Sequence, residues 1–179
     1  MRRLNTIITF LLVLVIVCHI VFAGLMLMGS ECNLSRYSAW AGEIFITIHL
    51  LIGFYLTIVS LVHVGKSKKK YKEENRLFWA RRISGLAVFI LFCFHPPMFG
   101  KETDGVFHLI PLSYAKVIIH ILFVAAFFVH IFTNIRPMLV SMGIVRGSKM
   151  YRVLSVLTWI LILYVLVTIV VYLAGWKIL

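Results

Sequence analysis

Acidic residues are scarce in this chain: 6 Asp and Glu stand against 18 Lys and Arg in 179 residues, a formal net charge of +12. Cysteine is scarcer still. Cys18, Cys32 and Cys93 show no C-x-x-C spacing, so neither a disulfide framework nor a thiolate metal site is expected, and they read as packing residues. Long polar stretches are missing, and with them the room for a soluble catalytic domain. Internal repeats are absent, and the apolar runs are continuous rather than alternating, which excludes the strands of an outer-membrane barrel.

What is present is apolar. Hydrophobic residues make up 62% of the sequence, far above a soluble domain. A bilayer-spanning helix needs about 20 mostly apolar residues. Five such spans are read, at about 4–27, 42–64, 77–98, 112–135 and 153–175. The expected fold is therefore all-α, a single integral membrane domain over 1–179 with five transmembrane helices. The first run follows Arg2 and Arg3 as a signal peptide would, but it is long for one and lacks a small-residue cleavage site, so it is read as a retained helix.

Charge placement sets the expected topology and argues against a nucleic-acid partner. Arg2, Arg3, Lys66, Lys68, Lys69, Lys70, Lys72, Arg76, Arg81, Arg82, Arg136, Arg146, Lys149 and Arg152 fall at alternate span ends, on one side. The other side has Arg36, Lys101, Lys116 and Lys177, beside Glu31, Glu43, Glu102 and Asp104. The positive-inside rule then puts the N-terminus in the cytoplasm and the C-terminus outside. The basic rim would also attract anionic membrane lipid or an acidic partner surface.

Histidine carries the chemical signal. Of seven, His108 lies in a loop and His63 at an inner helix end, where snorkelling is its expected role. His19, His49, His95, His120 and His130 lie within the apolar spans, distributed over the first four. One such ring can be a simple interhelical hydrogen bond. Four consecutive helices each carrying one fit bis-histidine haem ligation, because each iron takes two axial imidazoles from two helices. The second ring nitrogen would donate to the carbonyl one turn back, on Val15, Phe45, Leu91 and Ala126 for His19, His49, His95 and His130. Gly24, Gly53, Gly85 and Ala126 would leave room for a flat macrocycle.

These features resemble the five-helix dihaem cytochrome b membrane-anchor subunits of succinate dehydrogenase and quinol:fumarate reductase. Arg82-Ile83-Ser84-Gly85, with His95 thirteen residues after the arginine, is similar to the family's Arg-x-[Ser/Thr]-Gly helix and its haem ligand. Further likenesses are RRL at 2–4 with His19, EIFI at 43–46 with His49-x-x-x-Gly53-x-Tyr55, and His130 with Phe132-Thr133-Asn134 and Gly143-Ile144. The likeness runs through essentially the whole chain in order and helix count.

The resemblance implies an electron-transfer subunit of an oxidoreductase complex, with no catalytic residue of its own, in a bacterial cytoplasmic membrane. Its cofactors would be two haem b groups, the outer on His19 and His95 and the inner on His49 and His130, with a quinone, menaquinone first, as substrate. Flavoprotein and iron–sulfur subunits would dock on the basic cytoplasmic rim. Arg82 and Ser84, beside Arg81, would meet haem propionates or quinone, or simply anchor the helix. Glu43 would exchange protons with quinol, or be a solvated helix-start acid favoured by the dipole. Counted from the span ends, His49 lies nearer the outer face than His130, and His120 matches it better in depth. The residues after His130 favour it as the ligand, with His120 in reserve. Two other readings stay open: a haem-free structural anchor or small transporter whose histidines hydrogen-bond or relay protons, and a cytochrome b serving another dehydrogenase, such as a hydrogenase.

Overall fold

A computed structural model describes residues 2–30, 33–64, 72–103, 106–144 and 149–175. Lys66, Lys68, Lys69, Lys70, Arg146 and Lys177 of the expected charge pattern, with Glu31, Asp104 and Cys32, lie outside the described residues, as do the side chains of Arg2, His63, Lys72 and Glu102.

The described residues are mostly helical, at 84%. Five helices follow one another: α1 Arg2–Leu27, α2 Leu34–Val64, α3 Lys72–Phe92, α4 Tyr114–Ser141 and α5 Lys149–Gly175. Among the described residues, α1, α2, α4 and α5 are long and apolar enough to cross a membrane. The third is not, which departs from the expected span over 77–98. Its first turns, KEENR, and the Arg81-Arg82 doublet are charged, leaving the apolar run of Ile83–Phe92. At about 1.5 Å per residue that run covers roughly 15 Å, half of a hydrocarbon core.

Proline decides where α3 stops. A residue preceding proline is pushed out of the α region, so His95, before Pro96, cannot continue the helix. The chain tightens instead. The N–H of Phe94 donates to Leu91 O (3.1 Å) and that of His95 to Phe92 O (3.0 Å), and the N–H of Met98 returns to His95 O (3.1 Å), closing a turn over the two prolines. His95 is thus held by a turn three residues beyond the helix, and the expected arrangement, with His95 still helical, is corrected.

The outer connection also departs from an irregular loop. An antiparallel hairpin forms from β1 Gly100–Thr103 and β2 Val106–Leu109, with Gly100 opposite Leu109 and Lys101 opposite His108. It rests on a buried cluster of Met98, Leu112, Ile169, Tyr172 and Leu173. Within this cluster the Tyr172 hydroxyl donates to the Ile110 carbonyl, tying the end of α5 to the chain leading into α4.

Cross-links fix the directions of the helices. Thr6 Oγ1 at the start of α1 donates to Ser141 Oγ at the end of α4 (3.0 Å), Tyr164 Oη of α5 donates to the Val21 carbonyl of α1 (2.8 Å), and Trp159 meets Phe132 while Tyr172 meets Ile110 just before α4, so α5 runs against α4. Ser84 of α3 meets His130 in the second half of α4, and His95, just past the end of α3, stacks on His120 near the start of α4, so α3 runs against α4, as Thr9 with His49 and Ser38 with His19 set α1 against α2. Hence α1, α3 and α5 run one way and α2 and α4 the other, and Arg3, Arg76, Arg81, Arg82, Arg136, Lys149 and Arg152 fall toward one end. The outward faces are lined with exposed aliphatic and aromatic side chains such as Leu51, Phe54, Trp159 and Leu163, as lipid contact requires. Cys18 and Cys93, read from sequence as packing residues, lie on this exposed surface instead.

The α1–α5 contact depends on a glycine. Any Cβ at Gly24 would overlap the Tyr164 ring, whose hydroxyl bonds the carbonyl three residues earlier. Gly24→Leu is expected to lower the thermal unfolding midpoint in detergent, at an overpacking cost of about 1–3 kcal/mol. An unchanged midpoint would mean that Tyr164 does not rest on α1 at this point.

Candidate functional site

The helices associate as two close pairs, α1 with α2 and α3 with α4; α5 lies along α1 and α4, and nothing of comparable closeness joins α2 to α3 or α4. Between the pairs runs a cavity of about 2690 Å³. Ordinary ligand pockets occupy about 300–1,000 Å³, so this one has room for more than one large group. All five embedded histidines, His19, His49, His95, His120 and His130, line it.

The rings meet across the gap in two couples. His19 on α1 and His95 on the proline turn have ring centres 6.3 Å apart at an interplanar angle of 78°. His49 on α2 and His130 on α4 have theirs 6.5 Å apart at 74°. Each couple takes one imidazole from the first helix pair and one from the second. His120, buried at 6% exposure, does not join His49 but stacks on His95, with centres 5.6 Å apart and planes 20° from parallel.

The depth discrepancy between His49 and His130 resolves through the length of α2. The helix starts at Leu34, two turns before the apolar span begins, so His49 stands fifteen residues in and His130 sixteen residues into α4. Hydropathy marks where a helix becomes oily, not where it starts, and the polar turns LSRYSAW escaped it.

The second ring nitrogens find partners on neighbouring helices rather than on the carbonyl one turn back. His49 Nδ1 lies 3.2 Å from Thr9 Oγ1 of α1, and His19 Nδ1 3.4 Å from Ser38 Oγ of α2. His130 Nδ1 lies 3.1 Å from Ser84 Oγ of α3 and 3.4 Å from Asn134 Nδ2 on its own helix. His95 Nδ1 and His120 Nδ1 are buried with no hydrogen-bond partner among the described residues. Thr9 and Ser38 were not singled out from sequence, and Asn134 stood only in the run after His130, with no role assigned; a hydroxyl within an oily span was the available signal, but in one dimension it has no partner.

Ser84, at 7% exposure, is turned to His130, whereas Arg82 lies beside the cavity. Its Nη1 donates to the Gly53 carbonyl (3.2 Å), and the guanidinium carbon stands 5.2 Å from the centre of the Phe78 ring. The Nε atoms of both Arg81 and Arg82 are buried and unpartnered among the described residues. Glu43 lines the outer half of the cavity from α2 and is exposed. Of the glycines expected to make space, Gly85 faces His130: a Cβ there would stand 3.0 Å from its Cε1. Gly24 is covered by Tyr164, and a Cβ at Gly53 would meet nothing within 4 Å.

Among the described residues, no group of three or more His, Cys, Asp and Glu side chains gathers as a bare metal ion would need. The imidazoles are paired instead. No protein-family model, curated protein or solved structure matches the chain.

The Arg82–Gly53 bond joins the two helix pairs. Arg82→Ala is expected to destabilise the bundle by about 0.5–2 kcal/mol, read as a lower midpoint of thermal unfolding in detergent; a midpoint equal to wild type would remove this bond from the forces holding the pairs together.

Proposed function

We propose that the chain is a membrane-anchor cytochrome b of the succinate dehydrogenase or quinol:fumarate reductase type, holding two b haems. His19 and His95 would hold the outer group, and His49 and His130 the inner. The observation that carries this reading is the spacing of the two ring couples across one cavity. With a metal–nitrogen distance of about 2.0 Å, and each nitrogen about 1.1 Å from its ring centre, two axial imidazoles stand about 6.2 Å apart, centre to centre. The couples at 6.3 and 6.5 Å fit that separation. A direct imidazole–imidazole hydrogen bond would bring the centres about 1 Å closer.

A haem held between two such imidazoles supplies reversible one-electron transfer. The chain's own residues do the rest. Two couples along one cavity set a path from the basic end toward the outer end. The exposed Arg76, Arg136, Lys149 and Arg152 offer a basic surface for flavoprotein and iron–sulfur subunits, and in a bacterial cytoplasmic membrane the positive-inside rule turns that end to the cytoplasm. Arg81 and Arg82, with donors to spare beside the inner couple, suit a propionate or quinone oxygen. Glu43 is placed to exchange a proton with quinol near the outer couple, and Glu43→Gln is expected to slow quinol-linked turnover of the assembled complex.

A second reading is a haem-free membrane anchor or small transporter whose histidines serve only as hydrogen-bonding groups. It is favoured by the hydroxyl partners that His19, His49 and His130 already have.

The two readings part on optical measurements. Protein purified from a haem-replete host is expected to carry about two low-spin b haems per chain, and His95→Ala or His130→Ala about one each. Gly85→Leu should deplete the same signal as His130→Ala, because its side chain displaces that ring. A colourless wild-type preparation favours the haem-free reading and ends this one.

A further inference from the structure

We infer that Thr9, Ser38 and Ser84 are positioning residues that hold His49, His19 and His130 as the Nδ1–H tautomer, turning the lone pair of each Nε2 to the cavity. The step rests on counting protons. A hydroxyl has one hydrogen to give, and a backbone carbonyl can only accept. Thr9 Oγ1 is 2.7 Å from the Asn5 carbonyl and 3.2 Å from His49 Nδ1. Two oxygens that close repel unless a proton lies between them, so the hydroxyl hydrogen is committed to Asn5. What remains at Oγ1 is a lone pair, and His49 Nδ1 must carry the hydrogen.

The same device occurs twice more. Ser38 Oγ donates to the Ser35 carbonyl (2.9 Å) and stands 3.4 Å from His19 Nδ1. Ser84 Oγ donates to the Arg81 carbonyl (3.2 Å) and stands 3.1 Å from His130 Nδ1. The Asn134 amide is 3.4 Å from this nitrogen, but its two hydrogens have other acceptors, the His130 carbonyl at 2.7 Å and Thr133 Oγ1 at 3.4 Å. In each case a hydroxyl whose hydrogen goes to a carbonyl one turn back presents a lone pair to an imidazole on a neighbouring helix. Thr9 of α1 serves α2 and Ser38 of α2 serves α1, so the first helix pair sets both of its rings reciprocally.

Fixing the tautomer has two effects. It makes Nε2 the ligating atom, and it lends the ring basicity, because a donated Nδ1–H pushes electron density toward Nε2. A more basic ligand favours oxidised iron, so losing the acceptor should raise the reduction potential. The link to iron rests on the function proposed above; the tautomer does not.

The test uses the full chain in lipid bilayers with ¹⁵N-labelled histidine. In haem-free protein the His49 signal, identified by its loss in His49→Asn, is expected at the Nδ1–H tautomer. It should lose that preference in Thr9→Val and keep it in Thr9→Ser. An Nε2–H tautomer in wild type, or an unchanged tautomer in Thr9→Val, overturns the inference. In haem-loaded protein, Thr9→Val should retain haem and low-spin spectrum while the midpoint potential of one haem rises, with Thr9→Ser restoring it. Full haem with unmoved potential also overturns the inference, whereas absence of haem from wild type defeats the haem reading and leaves the tautomer measurement to decide the rest.

Discussion

An imidazole buried among aliphatic side chains must have both nitrogens provided for, since each left without a partner costs a substantial part of a hydrogen bond's desolvation free energy. Five such rings surround one cavity here, and the architecture follows from how they are accommodated. Three Nδ1 atoms are met by hydroxyls on an adjacent helix. That requirement fixes the rotation of α1 against α2 and of α3 against α4, because each hydroxyl must face the ring on its neighbour. The two pairs are thereby set internally, and the opposite edges of the rings are left for the space between them.

That space would be untenable in an ordinary protein interior, which packs about as densely as an organic crystal. Across the gap the pairs are held at few points: Arg82 reaching Gly53, Thr6 reaching Ser141, and α5 bridging from α1 to α4. α5 carries no histidine and contributes none of the ring couples. Its role is mechanical: Tyr164 fixes it to α1, and Tyr172 fixes its other end beneath the hairpin.

Much of this could be read from sequence, where the signal lies in the order of residues along one chain. Long apolar runs disclosed four of the helices as membrane-spanning lengths, and the histidines within those runs disclosed that polar groups would face one another. What hydropathy could not disclose was structure that is helical but polar, such as Leu34–Ala41 of α2 and Lys72–Arg76 of α3. Missing the first displaced His49 in depth, and α3 looked like a full span because the expected 77–98 ran through Arg81-Arg82 and past Phe92, where the helix ends. The partners of the imidazoles were hidden for another reason. Thr9 and His49 are 40 residues apart, and Ser84 and His130 are 46 apart, so only the folded helices show that they meet.

The turn at Pro96 and Pro97 divides mechanical control of the two histidine couples. His49 and His130 both sit on regular helices, so a slide or roll of α2 against α4 moves them together. His95 hangs from a turn that leads into the hairpin and its buried cluster. The His19–His95 couple therefore answers to movements of the hairpin and its cluster, the His49–His130 couple to movements of the helices, and a disturbance of the hairpin can shift one couple while leaving the other as it was.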